Sequence, residues 1–145
     1  MCKIKKLGLL GIGVIGGGWA ARALHAGIDV IAIDINTKME DWIQDLVEAT
    51  APSLNSLTEG MNVPPKGQLT FTKNSIEMAE NSDFIQENVP EVLEIKRKAL
   101  APISKVTGMN VIISSSTSGF MPSELQEGMT NPERFVVGHP FNPVY

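Results

Sequence analysis

The feature that most restricts this chain's fold is a glycine turn eleven residues in, Gly11-Ile12-Gly13-Val14-Ile15-Gly16, with Gly17 and Gly18 directly after it. The G-x-G-x-x-G spacing alone carries little information. Its setting carries more, because the turn follows an apolar run, Ile4 to Leu10, and opens a helical pattern, Ile15 to Ala26. A strand that ends in such a turn and passes straight into a helix is the start of a βαβ unit. Gly27 sits where a helix C-terminus needs a left-handed residue.

The rest of the chain continues the alternation. Strands are expected at Asp29 to Ile33, Leu69 to Thr72, Asp83 to Gln86, Val111 to Ser114 and Phe135 to Gly138. Helices are expected at Lys38 to Leu57, Ser75 to Glu80, Glu91 to Lys105 and Pro122 to Gly128. Pro52 should break or kink the second helix, and Pro102 should end the fourth early. Gly60 to Gly67, with Pro64 and Pro65, reads as a loop. The succession predicts an α/β fold: a Rossmann-type, doubly wound, mostly parallel sheet with helices on both faces.

In that fold the glycines have separate tasks. Gly11 permits the tight turn, Gly13 lets the backbone approach a pyrophosphate, and Gly16 lets helix and strand pack closely. The backbone N–H groups of the turn, from Gly11 and Ile12 through Val14 and Ile15 to Gly16, and the helix dipole favour phosphate charge. Asp34 ends the second strand, 18 positions after Gly16. A carboxylate there can accept from both adenosine ribose hydroxyls and repels a 2′-phosphate. Ile35, Asn36 and Thr37 offer no arginine to hold such a phosphate, so the expected cofactor is NAD and not NADP.

Composition removes several alternatives. The chain has 145 residues and a formal net charge of −4, which argues against nucleic-acid or polybasic membrane partners. Cys2 is its single cysteine, so neither an intramolecular disulfide nor a thiolate metal site is expected, and a cytoplasmic location fits. Lys3, Lys5 and Lys6 before an apolar run imitate a secretory signal. The six glycines between Leu7 and Ala21 would weaken the helix such a signal needs.

Two further segments carry candidate chemistry. Ser114-Ser115-Ser116-Thr117-Ser118-Gly119 follows the fifth strand, at the sheet edge where α/β ligands collect. Its hydroxyls could bind a substrate oxygen or serve as ordinary turn caps. His139 follows the last strand in Gly138-His139-Pro140-Phe141-Asn142-Pro143. A histidine there is a candidate general base, since its ordinary pKa lies near neutrality. His25 reads as a helix-surface or packing residue.

The glycine turn, Gln86-Glu87-Asn88-Val89-Pro90-Glu91, the serine turn and the His-x-x-Asn-Pro block together resemble the 3-hydroxyacyl-CoA dehydrogenase superfamily, over essentially the whole chain. Within it, Ser116-Thr117-Ser118-Gly119-Phe120 and the run from Val137 to Tyr145 look most like the L-carnitine-oxidising branch. The acyl-CoA enzymes more often carry Asn-Thr-Ser and Phe-Phe where this chain has Ser116-Thr117-Ser118 and Pro140-Phe141. The resemblance implies NAD-dependent oxidation of a 3-hydroxyl. His139 matches the catalytic base and Ser118 the serine that hydrogen-bonds the reacting oxygen. Glu91 and Lys96 match contacts to the nicotinamide half, and Asn142 a loop-shaping position.

The segment from Lys38 to Glu59 holds Glu40, Asp41, Asp45, Glu48 and Glu59 against Lys38 alone. That balance disfavours the phosphates of a CoA tail and suits a small or cationic 3-hydroxy acid such as L-carnitine. Trp42 has the ring chemistry for a quaternary ammonium, but its place beside Ile43 and Leu46 reads as packing. A 3-hydroxyacyl-CoA or sugar-acid 3-dehydrogenase is the alternative substrate class, and a non-catalytic NAD-binding module is the alternative of another kind. The superfamily also has a helical C-terminal domain that closes the site and forms a homodimer, and a glutamate beyond the histidine that orients it. Neither lies within these 145 residues, so the chain by itself is expected to bind NAD with little turnover.

Overall fold

The computed structural model describes residues 3–144; Cys2 and Tyr145 lie outside them. Six strands are present: β1 (Lys6–Leu10), β2 (Asp29–Ile33), β3 (Leu69–Phe71), β4 (Phe84–Glu87), β5 (Ile112–Ser115) and β6 (Phe135–Val137). They alternate with α1 (Val14–His25), α2 (Met39–Leu57), α3 (Ser75–Glu80), α4 (Leu93–Val106) and the short α5 (Pro122–Leu125). Strand order is β3-β2-β1-β4-β5-β6, and all five pairings are parallel. This is the doubly wound order expected from the sequence, with its reversal between β1 and β4.

Parallel strands covered on both faces must be apolar on both. Leu7, Leu9 and Val30 pack with Ala20, Leu24, Ile43 and Leu54 beneath α1 and α2. Leu10, Ile85 and Ile113 pack with Met78, Leu100, Ile103 and Leu125 beneath α3, α4 and α5. Helix α1 ends in a full glycine cap. Gly27 has φ +74°, its N–H donates to the Leu24 carbonyl, and the Ile28 N–H donates to that of Ala23 at 2.9 Å. Two orphan carbonyls are thereby satisfied.

Neither internal proline ends its helix: Pro52 does not break α2, and Pro102 does not end α4 early. Helix α2 runs through Pro52 and α4 through Pro102. An interior proline costs about 3 kcal/mol. Burying one large aliphatic side chain recovers about 1.5–3 kcal/mol. Apolar residues are buried on both sides of each proline, Ile43, Val47 and Leu54 in α2, Leu100 and Ile103 in α4, so burial outweighs the lost hydrogen bond. In the other direction, α5 stops at Leu125 and not at Gly128.

Among the described residues no helix is long and apolar enough to cross a membrane.

Candidate active site

The carboxyl ends of β1 and β4 diverge at the point where strand order reverses, and a cleft of about 690 Å³ opens there. Its walls include Gly11, Gly13, Ile33, Asp34, Asn88 and Ala99. Such a crevice is the usual ligand position in an open α/β sheet. The structure therefore brings the glycine turn and Asp34 to one cleft.

The turn is built as its spacing requires. Gly11 has φ +87°, a region that side chains disfavour. A Cβ on Gly16 would lie 2.1 Å from the Gly11 carbonyl oxygen, so helix and strand meet only because none is there. Gly13 differs from both. Its φ is −61°, and a Cβ there would meet nothing within 4 Å. Neither the backbone nor the packing of the protein requires this glycine. The open face this leaves on the turn fits the pyrophosphate of a dinucleotide.

Asp34 holds the turn from the neighbouring strand. Its Oδ2 accepts from the Ile12 N–H at 3.0 Å and its Oδ1 from the Asn36 N–H at 2.9 Å. Each carboxylate oxygen keeps a further lone pair for a ribose hydroxyl. Ile12 itself is fully buried, so it takes part in the turn through its backbone while its side chain packs in the core. Val14 is exposed and Ile15 half-buried at the start of α1, whose first N–H groups have no intrahelical acceptor.

A charge network lies next to the wall formed by Asn88, Val89 and Pro90. Glu87 ends β4 and is sealed from solvent, yet Lys96 Nζ from α4 stands 2.8 Å from its Oε1. Lys96 also donates to the Val89 carbonyl at 3.1 Å and reaches Glu91 Oε2 at 3.3 Å. All three N–H groups of the ammonium therefore have partners. Glu87 accepts in addition from the Ser115 hydroxyl and, at 2.7 Å, from the Val89 N–H. A buried ion pair persists only when its remaining hydrogen-bonding positions are filled in this way.

Glu91 joins this network to the serine turn. Its Oε1 accepts from Thr117 Oγ1 at 2.6 Å, the Ser118 N–H at 3.0 Å and the Gly119 N–H at 2.9 Å. Desolvation pushes its carboxyl up. The bonds from Thr117, Gly119, Ser118 and Lys96 push it down and together prevail, so the group lies below its ordinary value.

Glu91, Lys96 and Ser118 are thus gathered in one cluster. Ser118 is exposed. His139 follows β6 and is also exposed. The one histidine ring bonded among the described residues is His25, to Thr58 Oγ1 at 3.0 Å, consistent with its reading as a packing residue. Trp42 packs against the α1 glycines, its ring lying where a Cβ on Gly17 would go.

Sequence reasoning assigned no role to Gln86, Glu87, Asn88 or Thr117. A signal was available: three polar residues in succession close an apolar strand, with a lysine nine positions after the acid.

The chain matches known proteins along its length. It is 46% identical to an L-carnitine dehydrogenase of Pseudomonas putida, over 99% of this chain and 44% of that protein. It is 45% identical to an L-carnitine dehydrogenase/betainyl-CoA thioesterase of Rhizobium, over 100% of this chain and 29% of that protein. The chain thus spans less than half the length of these curated relatives. Among solved structures it resembles an NAD+-dependent 5-formyl-3-hydroxy-2-methylpyridine 4-carboxylic acid 5-dehydrogenase, with a TM-score of 0.85, 30% identity, and coverage of 97% of this chain and 46% of that one. It shares its fold with (S)-3-hydroxybutyryl-CoA dehydrogenase of Ralstonia eutropha, with a TM-score of 0.82, 24% identity, and coverage of 98% and 51%. The family model described as 3-hydroxyacyl-CoA dehydrogenase, NAD binding domain, matches residues 6–145, and the chain belongs to that family as its NAD-binding domain.

Proposed function

We propose that this domain serves an enzyme that oxidises the 3-hydroxyl of a small hydroxy acid, and that the acid is L-carnitine. The observation that carries the reading is whole-chain identity of 40–46% to relatives named L-carnitine dehydrogenase. The acidic α2 supports it. Asp41, Asp45 and Glu48 are exposed on that helix, a poor surface for CoA phosphates and a tolerable one for a cationic substrate.

NAD, when bound, supplies the hydride acceptor. The chain's own residues divide the remaining work. His139 takes the proton from the substrate hydroxyl as general base. Ser118 donates a hydrogen bond to the same oxygen. Glu91 fixes the serine turn through three bonds and, half exposed, offers its edge to the nicotinamide half. Lys96 contributes from behind, by holding Glu91 and the Val89 carbonyl.

The test is NADH formation by the protein in its natural form, offered L-carnitine or 3-hydroxybutyryl-CoA. The reading requires turnover of L-carnitine, with His139→Gln lowering kcat by about 10²- to 10⁴-fold and leaving NAD affinity unchanged. Preference for the acyl-CoA would overturn it.

A further inference from the structure

Beside the charge network runs a second chain of hydrogen bonds, uncharged, across four strand ends. Gln86, 1% exposed on β4, donates from Nε2 to the Gly138 carbonyl at 3.2 Å and to Ser116 Oγ at 2.7 Å. Ser116, just past β5, donates its hydroxyl to Asn88 Oδ1 at 2.7 Å. Asn88, just past β4, donates from Nδ2 to the Gly11 carbonyl at 3.2 Å and to the Gln86 carbonyl at 3.2 Å. The chain begins one residue before His139 and ends on the first glycine of the phosphate-binding turn.

Its direction is fixed by its ends. The carbonyls of Gly138 and Gly11 can only accept, so an amide NH2 must face each. Asn88 then presents Oδ1 to Ser116, whose single O–H must point there, leaving the hydroxyl oxygen to accept from Gln86. Flipping either amide would set two acceptors against each other. Gly138 has no room for a side chain: a Cβ would lie 2.4 Å from Ser114 Oγ. The backbone that carries His139 therefore packs closely on Ser114 of β5 and is hydrogen-bonded by Gln86 of β4.

Simple support of the fold does not call for this arrangement. The sheet pairings already hold β1, β4, β5 and β6 together, and apolar residues could fill the same space. A fully paired polar chain is rigid and has one arrangement. We propose that Gln86, Ser116 and Asn88 are positioning residues that couple occupancy of the phosphate-binding turn to the placement of His139. The inference rests on the reading of His139 as the base. A ligand that draws on the N–H groups of the turn shifts the Gly11 backbone, then Asn88, then Ser116 and Gln86, then the Gly138–His139 backbone.

ADP-ribose is the probe, because it fills the turn and carries no nicotinamide to touch the histidine. The readout is the His139 ring resonance, assigned by its loss in His139→Gln. Saturating ADP-ribose is expected to move the resonance. In Ser116→Ala, which touches neither ligand nor histidine, ADP-ribose affinity should stay within about twofold while the His139 response falls by roughly half or more. Ser116→Thr, which keeps the hydroxyl, should restore it. Asn88→Ala tests the same chain from the other side of the hydroxyl, should the first variant not fold. An undiminished response in these variants, or none in the wild type although ADP-ribose binds, overturns the coupling. Failure of ADP-ribose to bind overturns the cofactor site along with it. Failure to oxidise L-carnitine, measured separately, bears on the substrate alone.

Discussion

Lys96 Nζ stands 2.8 Å from Glu87 Oε1 with the two side chains 1% and 0% exposed. Removing one member of a buried pair leaves the other charged and unpartnered, which costs about 3–5 kcal/mol. Lys96→Met should therefore lower the unfolding free energy in urea by about that much. The double variant Lys96→Met/Glu87→Leu should lose less than the sum of the singles, because the stranded charge is gone. It should not recover fully, because the Ser115 hydroxyl and Val89 N–H lose their acceptor. Strict additivity of the two substitutions would contradict the pairing.

Glu91 makes stability depend on pH in a stated direction. Its folded carboxyl lies below its ordinary value of 4.5. The folded state therefore binds its proton less readily than the unfolded chain. The stability it contributes is fully present above about pH 4.5 and is lost as pH falls through the lowered folded value. Glu91→Gln should flatten the acid limb of a stability profile relative to wild type. Thr117→Val, which removes one of the bonds lowering the carboxyl, should shift the loss toward higher pH. The size is modest, since the side chain is 41% exposed and water screens it. Identical acid limbs for wild type and Glu91→Gln would remove the assignment.

The fold was legible because its signals are local. The Ile4 to Leu10 run, the turn from Gly11 to Gly16, Gly27 and the short strand Asp29 to Ile33 each declare an element within a few residues. Pro52 and Pro102 misled because their effect is decided by what their helices bury on another layer, which the local sequence does not display. The placing of the candidate residues was legible for the same reason. Gly13, Asp34, Ser118 and His139 lie in turns next to elements whose positions were readable. The joining of Gln86 to Gly138, or of Glu87 to Ser115, spans strands distant in sequence, and only the sheet order brings them together.

Asp34 accepts from the Ile12 N–H and lines the cleft, and the proposed cofactor site adds the ribose hydroxyls to its partners. Asp34→Ala should weaken NAD binding by roughly 10- to 100-fold, the range for a hydrogen bond to a charged group. The discrimination against NADP should shrink with it, because the repelling carboxylate is gone. Calorimetric titration with both dinucleotides reads the two effects. An unchanged ratio of the two affinities would show that selectivity lies elsewhere.

Gly13 and Gly16 should separate binding from stability. A Cβ on Gly16 drives into the Gly11 carbonyl at 2.1 Å, so Gly16→Ala must displace backbone and should cost about 1–3 kcal/mol of stability. A Cβ on Gly13 meets open space at an ordinary backbone conformation. Replacing glycine there restricts the unfolded chain, so Gly13→Ala should be neutral or stabilising by up to about 1 kcal/mol. The added methyl group nevertheless occupies the surface on which the pyrophosphate would lie. A loss of about 1.4 kcal/mol in contact there is a tenfold loss of affinity, and NAD titration should show at least that. A Gly13→Ala protein that is stable and still binds NAD like wild type would mean that the dinucleotide does not lie on this turn. A stable protein that has lost its cofactor would assign Gly13 to the ligand and Gly16 to the fold.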